Sequence, residues 1–338
     1  MSTAGPSGGP PTSEPIISLN GIGKTYVVRT RAGRVRRRRN DVEAVADVSF
    51  TVSPGEMVAY VGPNGAGKST TIKMITGILT PTTGRVEVLG MTPSAKRTLL
   101  ARRIGVVFGQ RSQLWWDLPL IDSFNLLHHL YRTDHRRHTE NLLSFTERLD
   151  LAEFLDTPVR QLSLGQRMRG ELTAAFLHDP PLVVLDEPTI GLDVVSKYAV
   201  REFLNETNRQ RGTTVLLTTH DLDDVEQICE RMLVIDHGRV VLDGTVSAFK
   251  ADYGTHRTVV VDLDEAASPV DLDVGSVVRV DGPRQWIRFE RTATSAAEVI
   301  AAVSAQRPIR DVAIEEPDIE ELIRNLYAST GDGGTTSC

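Results

Sequence analysis

The sequence predicts an α/β fold built on a parallel sheet, followed by a smaller α+β unit. Three observations predict it. Leu182-Val183-Val184-Leu185 and Thr214-Val215-Leu216-Leu217-Thr218 are almost continuously apolar. No solvent-facing strand tolerates that, so both suit parallel strands buried on two sides. Such strands alternate with segments of helical period, the signature of an α/β layer architecture. A glycine-rich turn, Gly62 to Gly67, joins the apolar run Met57–Val61 to a helix-like run at Thr71–Ile75.

That turn is the most informative stretch. Gly62-Pro63-Asn64-Gly65-Ala66-Gly67-Lys68-Ser69-Thr70 fits G-x-x-x-x-G-K-[ST] in a strand–loop–helix context. Glycines let the backbone turn its N–H groups toward a polyphosphate, and the helix behind adds its positive end. Lys68 is expected on the β and γ phosphates, and Ser69 on Mg²⁺.

In chain order, residues 1–15 are rich in Gly, Pro, Ser and Thr, lack the apolar core of a signal peptide, and are expected to be disordered. Ile16–Val27 suits a strand. Arg29 to Arg39 is a dense basic run, expected as a solvated loop, with contact to anionic lipid headgroups as the sharper reading. Strands and turns alternate from Val42 to Val61. Pro81–Gly84 turns into a strand at Arg85–Leu89. Residues 93–180 carry helical periodicity, clearest at Asn125–Leu130 and Leu142–Phe145. After Tyr253 the texture changes. Short strands are expected at Thr258–Leu263, Ser276–Val280, Gln285–Glu290 and Val312–Ile314, with helices at Ser295–Ala305 and Asp318–Tyr327. Residues 331–338 are expected to be a disordered tail.

Bulk composition narrows the function. Of 338 residues, 40% are apolar and 24% charged, near the soluble average. The net charge of −6 argues against a nucleic-acid protein with a strongly basic face. No apolar run reaches the ~18 residues of a membrane span. Cys229 and Cys338 suggest neither a disulfide framework nor a metal site, so a cytoplasmic chain is expected.

Two further motifs carry chemistry. The strand at 182–185 ends in Asp186-Glu187-Pro188. A carboxylate at a strand end beside a phosphate loop can hold the Mg²⁺ water shell, and the next can polarise an attacking water. The third is Leu162-Ser163-Leu164-Gly165-Gln166 before a helix-like run, Arg167–Leu177. Taken alone it is an ordinary helix N-cap at Ser163.

Along residues 16–250, the three motifs, in the chain order P-loop, Leu162–Gln166, Asp186–Pro188, closely resemble an ABC transporter ATPase subunit. The resemblance implies a P-loop NTPase core with an antiparallel β subdomain and a helical subdomain (about 93–180), together spanning 16–253. A small C-terminal α+β domain is placed at 254–330. The pentapeptide is similar to the family signature, with Leu164 where the first glycine usually stands. Ser163, Gly165 and Gln166 are then implied contacts to ATP. Tyr26 matches the aromatic that stacks on adenine, and Gln110 the glutamine that touches Mg²⁺ or the lytic water. Asp193, after Gly191-Leu192, matches the aspartate that couples two sites, and His220 the γ-phosphate switch histidine. Catalysis would fall to Glu187, His220, Gln110 and Lys68, metal binding to Ser69, Gln110 and Asp186, and ATP binding to Gly62–Thr70 with Tyr26, Ser163, Gly165, Gln166 and Asp193.

The family packs two cassettes head to tail around two ATP molecules, so a second cassette and an integral-membrane permease are implied partners, at the cytoplasmic face of the membrane. The wording of Val107–Pro119 and of Leu162–Leu177 is similar to bacterial exporter ATPases of the daunorubicin-resistance type, whose permease is a separate chain. Trp115 and Trp116 suit either a permease anchor or packing inside the helical subdomain. An importer ATPase is the nearest alternative. A non-transport ABC ATPase acting on ribosomes or DNA is less favoured, because one cassette is present and no long coiled coil interrupts it.

Overall fold

The computed structural model describes residues 14–32, 36–109, 111–219, 221–254, 256–265, 268–315 and Ile323, without the side chains of 29–39 and 253. Contacts divide the chain into two units, ending at Gly244 and beginning at Thr245. The helix at Val246–Tyr253 falls in the second unit, and the change of texture after Tyr253 coincides with its end.

The first unit holds two sheets. Strands β1 (Ile17–Ala32), β2 (Arg36–Val52) and β4 (Thr83–Val88) form an antiparallel sheet in the order β2-β1-β4. The basic run is not the loop expected: residues 29–32 and 36–39 pair across a β-ribbon. Arginine does not break a ladder, because the backbone makes the bonds whatever the side chain.

The second sheet runs β5 (Ile104–Phe108), β6 (Leu182–Asp186), β7 (Thr214–Thr218), β3 (Met57–Val61), β8 (Arg231–Asp236), β9 (Arg239–Thr245). The pairs from β5 to β8 are parallel. β3 and β7 are buried at every residue and β6 at all but Asp186, as continuous apolar runs require. β5 corrects the expectation of helix throughout 93–180. Its five residues form an edge strand of this sheet, and a short apolar run cannot declare its period. The sheet has a topological switch point at β3, whose neighbours β7 and β8 lead in opposite directions. Ligands bind outside the carboxyl ends of strands at such points.

Helices α1 (Lys68–Ile75), α2 (Arg97–Ala101), α3 (Leu120–Tyr131), α4 (His135–Arg148), α5 (Leu164–Phe176), α6 (Val194–Arg211) and α7 (Leu222–Ile228) complete the unit. Its main apolar core joins β1, β2 and β4 to β3 and α1 through Ile17, Val48, Phe50, Tyr60, Ile72 and Val86. No described helix is long and apolar enough to cross a membrane.

The second unit opens with α8 (Val246–Tyr253). An antiparallel sheet follows, in the order β11 (Ser276–Asp281), β12 (Arg284–Glu290), β10 (His256–Leu263), β13 (Ile309–Glu315). Alternate residues Ile287 and Phe289 of β12 meet Val259 and Val261 of β10 under α9 (Ala296–Gln306), which contributes Val299 and Val303. The helix expected at Asp318–Tyr327 lies outside the described residues except for Ile323, which is buried and helical. Residues 1–13 and 331–338 lie outside them too.

Candidate functional site

The phosphate loop follows β3, at the sheet's switch point. Gly67 ends the loop as the N-cap of α1 with φ 108°, and no side chain caps the helix. Its first-turn N–H groups are therefore left to an anion. Only glycine fits there: the backbone is left-handed, and a Cβ would stand 2.5 Å from the Ala44 carbonyl oxygen. The turn after β8 clamps the loop from behind. Gly238 N–H donates to the Ala66 carbonyl (3.0 Å), and Ala46 N–H donates to the Gly238 carbonyl (2.8 Å).

Lys68 is buried, and its ammonium donates to the carbonyls of Gly62 and of Pro63 (3.2 Å). Burial lowers its pKa, while the charges of Glu187 and Asp186 raise it. The structure thus brings the P-loop lysine and the acidic strand end into one electrostatic site. Ser69 is exposed and Thr70 half-buried at the start of α1.

Asp186 ends β6. Its Oδ1 accepts from Thr218 Oγ1 of β7 at 2.6 Å, and its carbonyl accepts from Gly109 N–H at 2.9 Å. Glu187 has φ 58°, a left-handed conformation costly for a side chain bearing Cβ. Its N–H donates to the Thr218 carbonyl (3.0 Å) and hydroxyl (3.2 Å), which hold the residue there.

Gln110 and His220 lie outside the described residues, but their neighbours are anchored. Gly109 is tied to Asp186, and Arg111 N–H donates to the Phe108 carbonyl (3.1 Å). Thr219 Oγ1 accepts from Asp221 N–H at 3.0 Å, and the Lys197 ammonium pairs with Asp221. Tyr26 is half-buried on β1 opposite Val42, two residues from the Ala44 that touches Gly67.

Ser163 is indeed a helix N-cap: a capping box joins it to Gln166 at the start of α5. What distinguishes it is its neighbour. A Cβ on Gly165 would stand 2.6 Å from Ser196 Oγ, and one on Gly191 would stand 2.9 Å from Leu164 Cδ2. Asp193 caps α6 through Ser196 N–H (2.8 Å) and Ser196 Oγ (3.1 Å), bonds that hold its carboxyl below the usual range. Ser163, Gly165 and Gln166 are therefore grouped with Asp193. Among the described residues no hydrogen bond joins them to the P-loop.

Sequence reading missed two supports. Buried Glu171 of α5 accepts from the Ser112 hydroxyl and from Gln113 N–H (3.2 Å), tying the segment after Gln110 to the signature helix. Burial raises its pKa. Fully buried Asp224 of α7 accepts from the Thr189 hydroxyl and from Arg201 Nε (2.6 Å), bracing the loop after Glu187. A carboxylate inside a helix of mainly apolar periodicity was the available signal for Glu171.

Comparisons with known proteins agree with this geometry. A family model described as ABC transporter matches residues 45–190. The daunorubicin resistance ATP-binding protein DrrA3 of Streptomyces coeruleorubidus is 34% identical over 304 residues, covering 88% of this chain and 94% of that one. The chain belongs to the ABC transporter ATP-binding family. The Nod factor export ATP-binding protein I of Rhizobium leguminosarum bv. viciae is 34% identical, with 68% of each chain covered. The ATP-binding protein NatA of Bacillus subtilis is 30% identical over 64% of this chain and 87% of its own. Among solved structures, an ABC transporter ATP-binding subunit superposes with a TM-score of 0.60 at 28% identity, covering 71% of this chain and 93% of that one. A dimeric ATP-binding cassette in a post-hydrolysis state, bound to ADP and Pi, gives 0.59 at 27%, covering 68% and 98%. This ABC ATPase thus binds and hydrolyses ATP.

Proposed function

We propose that the chain powers export of a small hydrophobic solute through a separate integral-membrane permease, at the cytoplasmic face of the membrane. The observation that carries the site is Lys68 within the field of Asp186 and Glu187 at the switch point of the sheet. Export is supported by similarity to proteins named for daunorubicin resistance and Nod factor export.

The donor set suits magnesium triphosphate. Uncapped N–H groups of α1 and the Lys68 ammonium answer the phosphates, with the Gly62–Thr70 loop as cradle. The Ser69 hydroxyl and Asp186 carboxylate are hard oxygen donors for Mg²⁺, with Gln110 assigned beside them. The cation supplies charge neutralisation across the phosphates. Tyr26 is assigned to the adenine. Glu187 orients a water in line with the γ-phosphorus. The water's oxygen forms the new P–O bond as the bond to ADP breaks, and its proton leaves toward the Glu187 carboxylate. His220 is assigned to the γ-phosphate.

Ser163, Gly165 and Gln166 stand beside Asp193 rather than the P-loop. This supports a second cassette whose P-loop they would complete, as a homodimer or with another chain. Trp115 and Trp116, 40% and 51% exposed, are available as anchors for the permease. Co-purification with a membrane partner and reconstitution into proteoliposomes tests the reading. ATP-driven solute efflux is expected, and ATP hydrolysis that no membrane partner stimulates overturns it.

A further inference from the structure

No role in the ATP site is assigned to the basic run, yet the backbone of residues 29–32 and 36–39 gives it a specific form. β4 pairs with β1 only between Ile17 and Gly23. Beyond Gly23, β1 and β2 continue as a ribbon of two strands. Such a ribbon is marginal alone and calls for a partner surface.

Its register sorts the charges. Arg29 opposes Arg39, and Arg31 opposes Arg37. Because strand positions alternate between faces, 29, 31, 37 and 39 share one face. The other face has Thr30 opposite Arg38 and Ala32 opposite Arg36. Like charges directly opposed weaken a ladder, and this face sets two such pairs side by side. Residues 29–39 contain seven arginines and no acidic residue, on a chain whose net charge is −6. Val27 continues the four-arginine face opposite Asp41 and is 51% exposed, while Val28 and Val42, 42% and 48% exposed, lie on the other face.

We propose that this ribbon docks on an anionic phospholipid surface, with the face of Arg29, Arg31, Arg37 and Arg39 toward the headgroup phosphates. Guanidinium groups pair with phosphate through paired N–H donors, and arginine face, exposed valine and interfacial lipid are complementary in charge and polarity. The choice of lipid over nucleic acid rests on the membrane placement proposed above and on the acidic remainder of the chain.

Flotation of the full chain with vesicles tests the proposal. Phosphatidylcholine vesicles are compared with vesicles containing phosphatidylglycerol, across a salt series. Binding is expected only to the anionic vesicles and is expected to weaken as salt screens it. Replacing Arg37 and Arg39 by glutamine should lower partitioning by roughly thirtyfold. Replacing Arg36 and Arg38 by glutamine should lower it by roughly tenfold or less. Wild-type binding that ignores vesicle charge overturns the proposal without reference to any variant. So does equal loss in the two variants, or displacement of the chain from anionic vesicles by equimolar duplex DNA. ATP hydrolysis measured on the same samples keeps the questions apart, since hydrolysis without flotation removes the ribbon's role and leaves the ATPase standing.

Discussion

At the scale of single residues, the two acids at the end of β6 carry opposite burdens. Asp186 is relaxed and held by Thr218, whereas Glu187 occupies a left-handed backbone. Removing its side chain should therefore stabilise the fold while abolishing turnover. Glu187→Gly is expected to raise stability by about 1 kcal/mol, read as a higher melting temperature, with hydrolysis lost. Glu187→Gln keeps the strain and should bind ATP as the wild type does, hydrolyse none, and sediment as a closed dimer in ATP-Mg²⁺. Lys68→Ala should instead lose affinity by at least about tenfold in a nucleotide titration, because it removes the cation that answers the phosphates. Unchanged affinity in that variant would sink the site. The P-loop was legible as sequence because its glycines, lysine and serine are contiguous. Glu171 and Asp224 were not, because each acts on residues distant in the chain, Ser112 and Thr189.

At the scale of elements, α3 and α4 meet through histidines. His138 of α4 is buried, and neither ring nitrogen has a hydrogen-bond partner. Burial lowers its pKa to about 4, and His128, His135 and His129 push the same way. No acid opposes them among the causes of that shift. The sign follows. The folded pKa lies below the unfolded ~6.5, so the unfolded chain binds the proton first. The contribution is complete above pH ~6.5 and declines as pH falls toward 4. His138→Phe keeps the ring and removes the titration, so its melting temperature should exceed wild type by more at pH 5 than at pH 7.5. Equal gains at both would refute the assignment. A second element-scale prediction concerns α5. Glu171→Ala takes away the carboxylate that accepts from the Ser112 hydroxyl and Gln113 N–H, leaving the bond from Gln113 Nε2 to the Glu171 backbone carbonyl (3.1 Å) as the remaining tie to the signature helix. Stability should fall by roughly 2 kcal/mol. The turnover number for ATP should fall while nucleotide affinity holds, because the P-loop is untouched. The elements themselves divide in legibility. β3, β6 and β7 are read from continuous burial. β5 hid within helical surroundings, and the ribbon at 29–32 and 36–39 hid behind charge, which says nothing about backbone pairing.

At the scale of the whole molecule, the decisive matter is whether one chain contains a complete site. The P-loop, Asp186 and Glu187 share one electrostatic neighbourhood, while Gly165, two residues after the cap Ser163, is seated against Ser196 and Asp193. A head-to-tail pair of identical chains would join the P-loop of one to the serine–glycine turn of the other, twice, by a two-fold axis. Complementation between two dead variants tests this directly. Lys68→Ala disables its own P-loop but keeps an intact signature turn. Ser163→Arg does the reverse. Each alone should hydrolyse no ATP, because both sites of its homodimer carry a defect. In a mixed dimer one site gathers both defects and the other gathers none. With random pairing half the dimers are mixed, so an equimolar mixture should recover up to about a quarter of wild-type hydrolysis. Sites contained within single chains would leave every site defective, and the mixture would be as inactive as its parents. Recovery therefore locates the signature turn in the partner's site. Its absence, in samples that sediment as dimers, would return that turn to the role its hydrogen bonds already give it, the cap of α5.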